Sequence, residues 1–178
     1  VTEQLMRLEL LHQGDRLLTM LPPAHAYMYV LMTIALAEGL ALGIPPIEDR
    51  RCNFLRRPTI REMMAKADAH LIPLLPDLLD KMKGEITSSI LNDAPGASQK
   101  YSERLLRWSL EDRIRNGRST HFIASCLAPL AQSELRSRIF GRNVRFLGSG
   151  AAKLDPASAD FFEQVLGLRV IQGYGQTD

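Results

Sequence analysis

A chain of 178 residues, 46% hydrophobic and 24% charged, can bury one sizeable core and has the composition of an ordinary globular protein. Its net charge of +2 places no global demand for nucleic acid or an anionic surface. Without CxxC or HExxH spacings a transition-metal site is disfavoured, and the most apolar window, Tyr27 to Leu42, is broken by Glu38 and Gly39 and is short for a membrane span. Cys52 and Cys126 share no motif spacing and read as small hydrophobes in a reducing compartment. The N-terminal residues lack the basic and apolar regions of a signal peptide.

In chain order, Leu5 to Leu11 reads as a helix closed by Gln13-Gly14, and Arg16 to Leu21 as a strand stopped by Pro22-Pro23. A buried helix over Ala26 to Ala37 and a strand over Leu40 to Ile44 follow. Thr59 is placed to cap a helix from Ile60, with Glu62 completing a capping box. His70 to Leu75 is apolar enough for a strand, which Pro73 assigns to an end or an edge. Pro76 starts a helix through Lys83, and Asn92 to Gln99 has the composition of a surface loop. Leu106, Leu110 and Ile114 put an apolar stripe on a helix over Tyr101 to Arg115, and a further helix covers Leu130 to Ile139.

The final unit is a strand Val144 to Leu147, a tight loop Gly148-Ser149-Gly150, a helix Pro156 to Leu166 closed by Gly167, and a strand Leu168 to Ile171. Joined this way the strands are parallel, and the alternation along the chain predicts an α/β fold on a mainly parallel sheet, as one domain over residues 1–178. Parallel strands carry Gly148-Ser149-Gly150 and Gly173-Tyr174-Gly175 to one carboxyl edge, where open α/β sheets bind ligands. Glycines there allow close backbone approach to a flat ligand; Tyr174 offers a stacking face, Thr177 a hydroxyl and Asp178 a ligand for a hard cation. Each loop read alone is equally served by tight turning; the pair points to a site.

Phosphate-loop and nucleophile readings of the first loop fail. Ala152 stands where a P-loop needs glycine, Leu147 where a nucleophile elbow needs glycine, and Lys153 where a dinucleotide fingerprint needs it. His25, just past the first long strand, reaches the same edge, while His12, His70 and His121 have no recognisable partners. From Tyr101 to Arg145 there are nine Arg, no Lys and four acidic residues, a local excess that suits RNA, anionic lipid or CoA phosphates, or a solvated helix face. Trp108 is too isolated to be a stacking platform.

The order LPPAHAY, PLLPDLLDKM, RFLGSGAAKLDP…FFEQVLG, VIQGYGQTD resembles the AMP-forming adenylating enzymes, and within them the acyl-CoA synthetases of the long-chain fatty acid branch. The resemblance covers essentially the whole chain and implies ligation of a carboxylic acid, a fatty acid in this branch, to CoA through an acyl-adenylate made from ATP. It implies that Ser149, Gly150, Ala151 and Ala152 line the adenine pocket, and that Gly173, Tyr174, Gly175, Gln176 and Thr177 bind the nucleotide. Tyr174 would stack on adenine, Thr177 contact the α-phosphate, Asp178 hold Mg2+, and His25 border the acyl and phosphate pocket. Thr177 and Asp178 are thus its catalytic candidates.

The sequence departs from the family in ending Thr-Asp where Thr-Glu is usual, and in carrying Lys153 where proline is common. The family's Ser/Thr/Gly-rich phosphate loop is expected upstream of Val1, and its ribose-binding Asp and small C-terminal domain with a catalytic Lys beyond Asp178. The expectation is a central fragment of an AMP-binding domain, inactive alone, cytoplasmic, and compatible with peripheral membrane contact but not with nucleic acid. Two alternatives stand beside it: transfer of the acyl group to a carrier protein, or a non-catalytic α/β module holding anionic partners through its Arg-rich helix.

Overall fold

A computed structural model describes residues 12–21, 25–44, 57–92 and 101–173, with side chains from 62 to 91 and from 103 onward in the last two spans. Its elements are β1 (Arg16–Leu18), α1 (Ala26–Ala37), β2 (Ala41–Gly43), α2 (Arg57–Ala67), β3 (Leu71–Leu74), α3 (Pro76–Asn92), α4 (Tyr101–Asn116), α5 (Phe122–Phe140), β4 (Phe146–Ser149), α6 (Pro156–Val165) and β5 (Arg169–Gln172). The five strands form one parallel sheet in the order β2-β1-β3-β4-β5. The expected α/β class is therefore the observed one. Strand order reverses between β1 and β3, the kind of switch point beside whose carboxyl ends open α/β sheets bind ligands.

Side-chain alternation along the strands sorts the core into two layers. Leu17, Leu71 and Phe146 pack with Met28, Leu31 and Ala35 of α1. Their neighbours Leu18, Ile72 and Leu147 face the other way, into a larger cluster with Met64, Leu79, Met82, Leu110, Phe140 and Phe162. So α1 covers one face of the sheet and the other helices build the opposite layer. Being covered on both faces explains why these strands read as continuous apolar runs.

Several boundaries differ from the sequence reading, each for a physical reason. Pro73 does not send β3 to an edge: β3 is the central strand. Its pairing with β1 is confined to Leu17↔Leu71, two residues before the proline, so the missing N–H takes nothing from that ladder. α2 begins at Arg57, so Thr59 lies in its first turn instead of capping it, with Pro58 at a tolerated first-turn position. α5 starts eight residues before Leu130 and carries Pro129 inside. There the buried Ser109 hydroxyl donates to the Ala124 carbonyl at 2.7 Å and fastens α5 to α4. α3 starts at Pro76 as expected but runs on to Asn92. β4 is displaced by two residues, so Gly148 and Ser149 belong to the strand and the loop begins at Gly150. The expected helix Leu5–Leu11 and most of the Asn92–Gln99 loop lie outside the described residues.

The amino edge of the sheet is closed by ion pairs and hydrogen bonds. Asp68 accepts from the amides of Arg142 and Asn143 at 2.8 and 2.9 Å, from the Asn143 side chain at 2.7 Å and from Arg16 at 3.1 Å. These bonds, the Asn143 amide foremost, hold its carboxyl below the usual range. Gly141, at φ 99°, makes the turn possible: a β-carbon there would stand 2.9 Å from Asp68 Cα. Asp15 pairs with Arg145 and faces His70 Nε2 at 3.7 Å. His70, expected to lack partners, therefore has them, and its Nδ1 accepts from the Arg16 amide at 2.9 Å.

Candidate functional site

At the carboxyl edge β4 and β5 run in register, with Ser149 opposite Gln172, and the Gly173 amide donates to the Ser149 carbonyl at 2.7 Å. Ser149 and Gly173, which the sequence separates by more than twenty residues, are thus held side by side. Alternation puts Gly148 and Gly150 on the face of Phe146, the face covered by α1, and Gly173 on that of Ile171.

What meets those glycines is Tyr27, from the first turn of α1. A β-carbon on Gly150 would lie 2.6 Å from Tyr27 Cε2, one on Gly148 2.8 Å from its hydroxyl, and one on Gly173 3.6 Å from Cε2. The expectation that these glycines admit a flat ligand is therefore refined. Close approach at this face is made by the protein's own aromatic ring, and α1 delivers it because β1 ends at the same edge. Burial pushes the Tyr27 phenol up to about 12, so it is neutral at physiological pH. Tyr27 was within reach of sequence reading, as the aromatic two positions after His25, but nothing in one dimension ties it to a loop over 120 residues away.

His25 occupies the N-cap position of α1, with extended φ and ψ of −76° and 125°, and its side chain makes no capping bond. Its Nδ1 is buried without a hydrogen-bond partner, and so is the Ser149 hydroxyl in a residue only 1% exposed. Such orphaned polar atoms are uncommon in native interiors and mark a place where a polar ligand group would be stabilised. The Ser149 hydroxyl alternates to the face opposite Tyr27, so the two do not meet. Ala151 and Ala152 are exposed, and Ala151 sits at φ 71°, the left-handed region, immediately past Gly150. Gly173 is the last described residue. Tyr174, Gly175, Gln176, Thr177 and Asp178 lie outside the described residues.

Asp155 caps α6 by accepting from the Ala157 amide at 3.3 Å, with Pro156 in the first turn, which fixes where the chain leaves the loop after Gly150. Among the described residues no three His, Cys, Asp or Glu side chains gather to hold a metal ion. The Arg-rich segment is less free than its composition suggests. Arg107 bonds Glu111 and the Ser89 and Ile90 carbonyls, and Arg113 bonds Ser119 and the Gln164 carbonyl. Both serve packing between helices. Cys126 is exposed, against the expectation of a packed small hydrophobe, and Trp108 stacks on His121 with centroids 5.5 Å apart. No described helix is long and apolar enough to cross a membrane.

The chain has counterparts in sequence and in fold. The chain is similar to long chain acyl-CoA synthetase 7, peroxisomal, of Arabidopsis thaliana, 27% identical over 93% of this chain and 22% of the relative. It is also similar to the long-chain-fatty-acid–CoA ligase 6 of Mus musculus, 25% identical over 93% of this chain and 22% of that protein. It spans about a fifth of the length of these relatives. Among solved structures, it resembles the adenylation domain of a carboxylate reductase from Mycobacterium chelonae, with a TM-score of 0.61 and 19% identity over 93% of this chain and 21% of that one. The A domain of a carboxylic acid reductase from Segniliparus rugosus, in complex with AMP, matches with a TM-score of 0.58 and 20% identity, over 91% of this chain and 20% of that one. The family model described as AMP-binding enzyme matches residues 1–178. The chain belongs to the AMP-binding enzyme family.

Proposed function

We propose that this chain is the central part of an acyl-CoA synthetase of the long-chain fatty acid type, and that its carboxyl edge forms part of the site where the acyl-adenylate is made. A carboxylate oxygen attacks the α-phosphorus of ATP, the bond to the β-phosphate breaks, and pyrophosphate leaves. The thiolate of CoA then attacks the acyl carbon and AMP departs. What carries the reading is the register of β4 and β5. It holds Ser149, the residue before Gly150, beside Gln172 and Gly173, and so supports a site shared by the loop Gly150 to Ala152 and the motif that begins at Gly173.

What supports a nucleotide at this edge is the Ser149 hydroxyl, buried without a partner, and the exposed residues Ala151 and Ala152 past Gly150. Tyr174 would stack on adenine and Thr177 contact the α-phosphate. Magnesium would neutralise charge developing on the phosphates, and Asp178 is the residue that would hold it. His25, with a buried unpartnered Nδ1, would border the acyl and phosphate side, and Tyr27 packs against Gly148 and Gly150.

The test is an AMP titration of the purified chain followed through its backbone amide resonances. Shifts at Gly150 and Gly173, weakened about tenfold or more by Tyr174→Ala, are the expected outcome, since stacking on one aromatic ring is worth a kilocalorie or more per mole. Shifts confined to other residues, or none at all, would overturn the assignment of the edge. The chain by itself is expected to lack carboxylate-dependent exchange of pyrophosphate into ATP, and measurable exchange by the 178-residue protein would show that the site is complete within it.

A further inference from the structure

Two adjacent hydroxyls between α4 and α5, on Ser119 and Thr120, stand in opposite electrostatic settings. Thr120 faces an acid. Its hydroxyl donates to Asp112 Oδ1 at 2.5 Å and its amide to Oδ2 at 2.6 Å, while the Asn116 side chain donates to Oδ1 at 2.9 Å. These bonds, the Thr120 hydroxyl foremost, hold the Asp112 carboxyl below its usual range, so it is ionised at neutral pH. Ser119 faces a cation. Its Oγ accepts from Arg113 Nε at 2.9 Å, and the residue is half-buried. Because Asp112 ties residues 116 and 120 to α4, Ser119 between them is held against Arg113.

The surroundings of Ser119 have one sign. Arg113 lines an open depression of about 450 Å3 together with Asn116, Gly117, Arg118 and Gln164, and no acid is among these residues. Arg115 and Arg118 are exposed, with no ion pair to either among the described residues. In the sequence no acidic residue occurs between Asp112 and Glu134, while Arg113, Arg115 and Arg118 all shortly precede Ser119. A phosphate dianion is stabilised where guanidinium groups converge and acids are absent, and the depression leaves room for one.

We propose that Ser119 is a phosphorylation site. The Ser119 oxygen attacks the γ-phosphorus of a nucleoside triphosphate held by a protein kinase. The bond from that phosphorus to the β,γ-bridging oxygen breaks, the nucleoside diphosphate leaves, and the hydroxyl proton passes to a base of the kinase. Arg115 and Arg118 present the segment to an enzyme with an acidic peptide groove, and Arg113 and Arg118 then hold the phosphate. Arg113 can turn towards it without stranding the Gln164 carbonyl, which also accepts from the Gln132 side chain at 2.6 Å. Thr120 is not an equivalent acceptor, because its oxygen is bound to Asp112 and a phosphate there would meet a carboxylate. The site is remote from the nucleotide edge, since Arg113 reaches the end of α6, where the chain turns into the amino end of β5.

The experiment places phosphoserine at position 119 of the chain during translation and follows it by phosphorus NMR against pH. Phosphoserine without partners loses its second proton near about pH 6. Here the midpoint should fall by about half a pH unit or more, and Arg113→Gln should return it most of the way. Arg118→Gln, at an exposed residue that leaves the fold intact, should recover part of the shift and serves where Arg113→Gln fails to fold. The phosphorylated chain should also melt about 2 °C or more above the unmodified one. In parallel the unmodified chain is treated with an arginine-directed protein kinase and ATP, and the sites are mapped by tandem mass spectrometry. Incorporation at Ser119 about tenfold or more above Thr120 is expected. A midpoint equal to that of free phosphoserine, a midpoint indifferent to both arginine variants, or a lowered melting temperature would overturn the proposal. So would incorporation at Thr120 in place of Ser119, or none at either residue.

Discussion

The ring of Tyr27 lies so close to Gly150 that a β-carbon on the glycine would stand within 2.7 Å of three ring atoms. Gly150→Ala must therefore displace a ring that is itself packed against Gly148 and the α1 layer. A loss of about 1–3 kcal/mol is expected in urea unfolding, the usual range for overpacking. In a Tyr27→Leu background the same substitution should cost less, because the clashing atoms are gone, and a coupling of at least about 0.5 kcal/mol should appear in the double-mutant cycle. Strict additivity would mean that the two residues are not in contact.

Tyr27 also makes a prediction at alkaline pH. Its phenol is raised from 10.0 to about 12 by burial, so between these values the unfolded chain releases a proton that the folded one keeps. The stability this contributes is complete below pH 10 and is lost as pH rises towards 12. Tyr27→Phe keeps the ring and removes the proton. Its unfolding free energy should change little at pH 8 and fall less steeply than that of the wild type above pH 10.

His70 acts in the opposite pH range. Burial, and then the Arg16 charge, lower its pKa below 6.5, with Asp68 opposing, and its Nδ1 must stay unprotonated to accept from the Arg16 amide. The unfolded chain therefore takes up a proton that the folded chain resists. Stability is full above pH 6.5 and declines as pH falls from there through the lower folded value. His70→Gln should flatten this part of the stability profile, and thermal melts between pH 7.5 and 5.5 would detect it.

Asp68 is bonded to two backbone amides and sits at φ 46°, a conformation that Asn tolerates and Ala does not. Asp68→Ala should cost about 2 kcal/mol through lost hydrogen bonds and backbone conformation, while Asp68→Asn should keep most of it. Because its folded pKa is depressed, its contribution is present above 3.8 and disappears as pH falls through the lower folded value. Chemical denaturation at pH 7 and pH 3 separates the two variants.

Gly84 is the counterexample to Gly150. It lies exposed inside α3, and a β-carbon there would meet nothing within 4 Å. Gly84→Ala should stabilise the protein by about 0.5–1 kcal/mol, the helix-propensity difference, and raise the thermal midpoint. Destabilisation would place an unseen neighbour against this surface.

The strands and helices that carry the site were legible in the chain because their signals are local. α1 spans Ala26–Ala37 as read, and Asp155-Pro156 starts α6 where its capping chemistry says it should. The parallel pairing of β4 with β5 follows from the helix between them. Legibility failed where a neighbour overrode a local rule. Pro73 reads as an edge residue, yet its strand is central, because what matters is which side its absent donor faces and where the β1 ladder ends. The helix expected over Leu130 to Ile139 begins eight residues earlier and runs through Pro129, where its small residues pack inward and a hydrogen bond from α4 reaches the Ala124 carbonyl.

By itself the sequence determined the α/β class and brought Gly148 to Gly150 and Gly173 to one edge, since periodicity and loop chemistry are properties of short stretches. Only the tertiary structure decided that the glycines seat Tyr27, that Arg107 and Arg113 are consumed in helix packing, and that Phe122, Ile123 and Leu130 face outward. Each of these depends on which remote residue occupies the space beside a side chain, and that is set by packing in three dimensions.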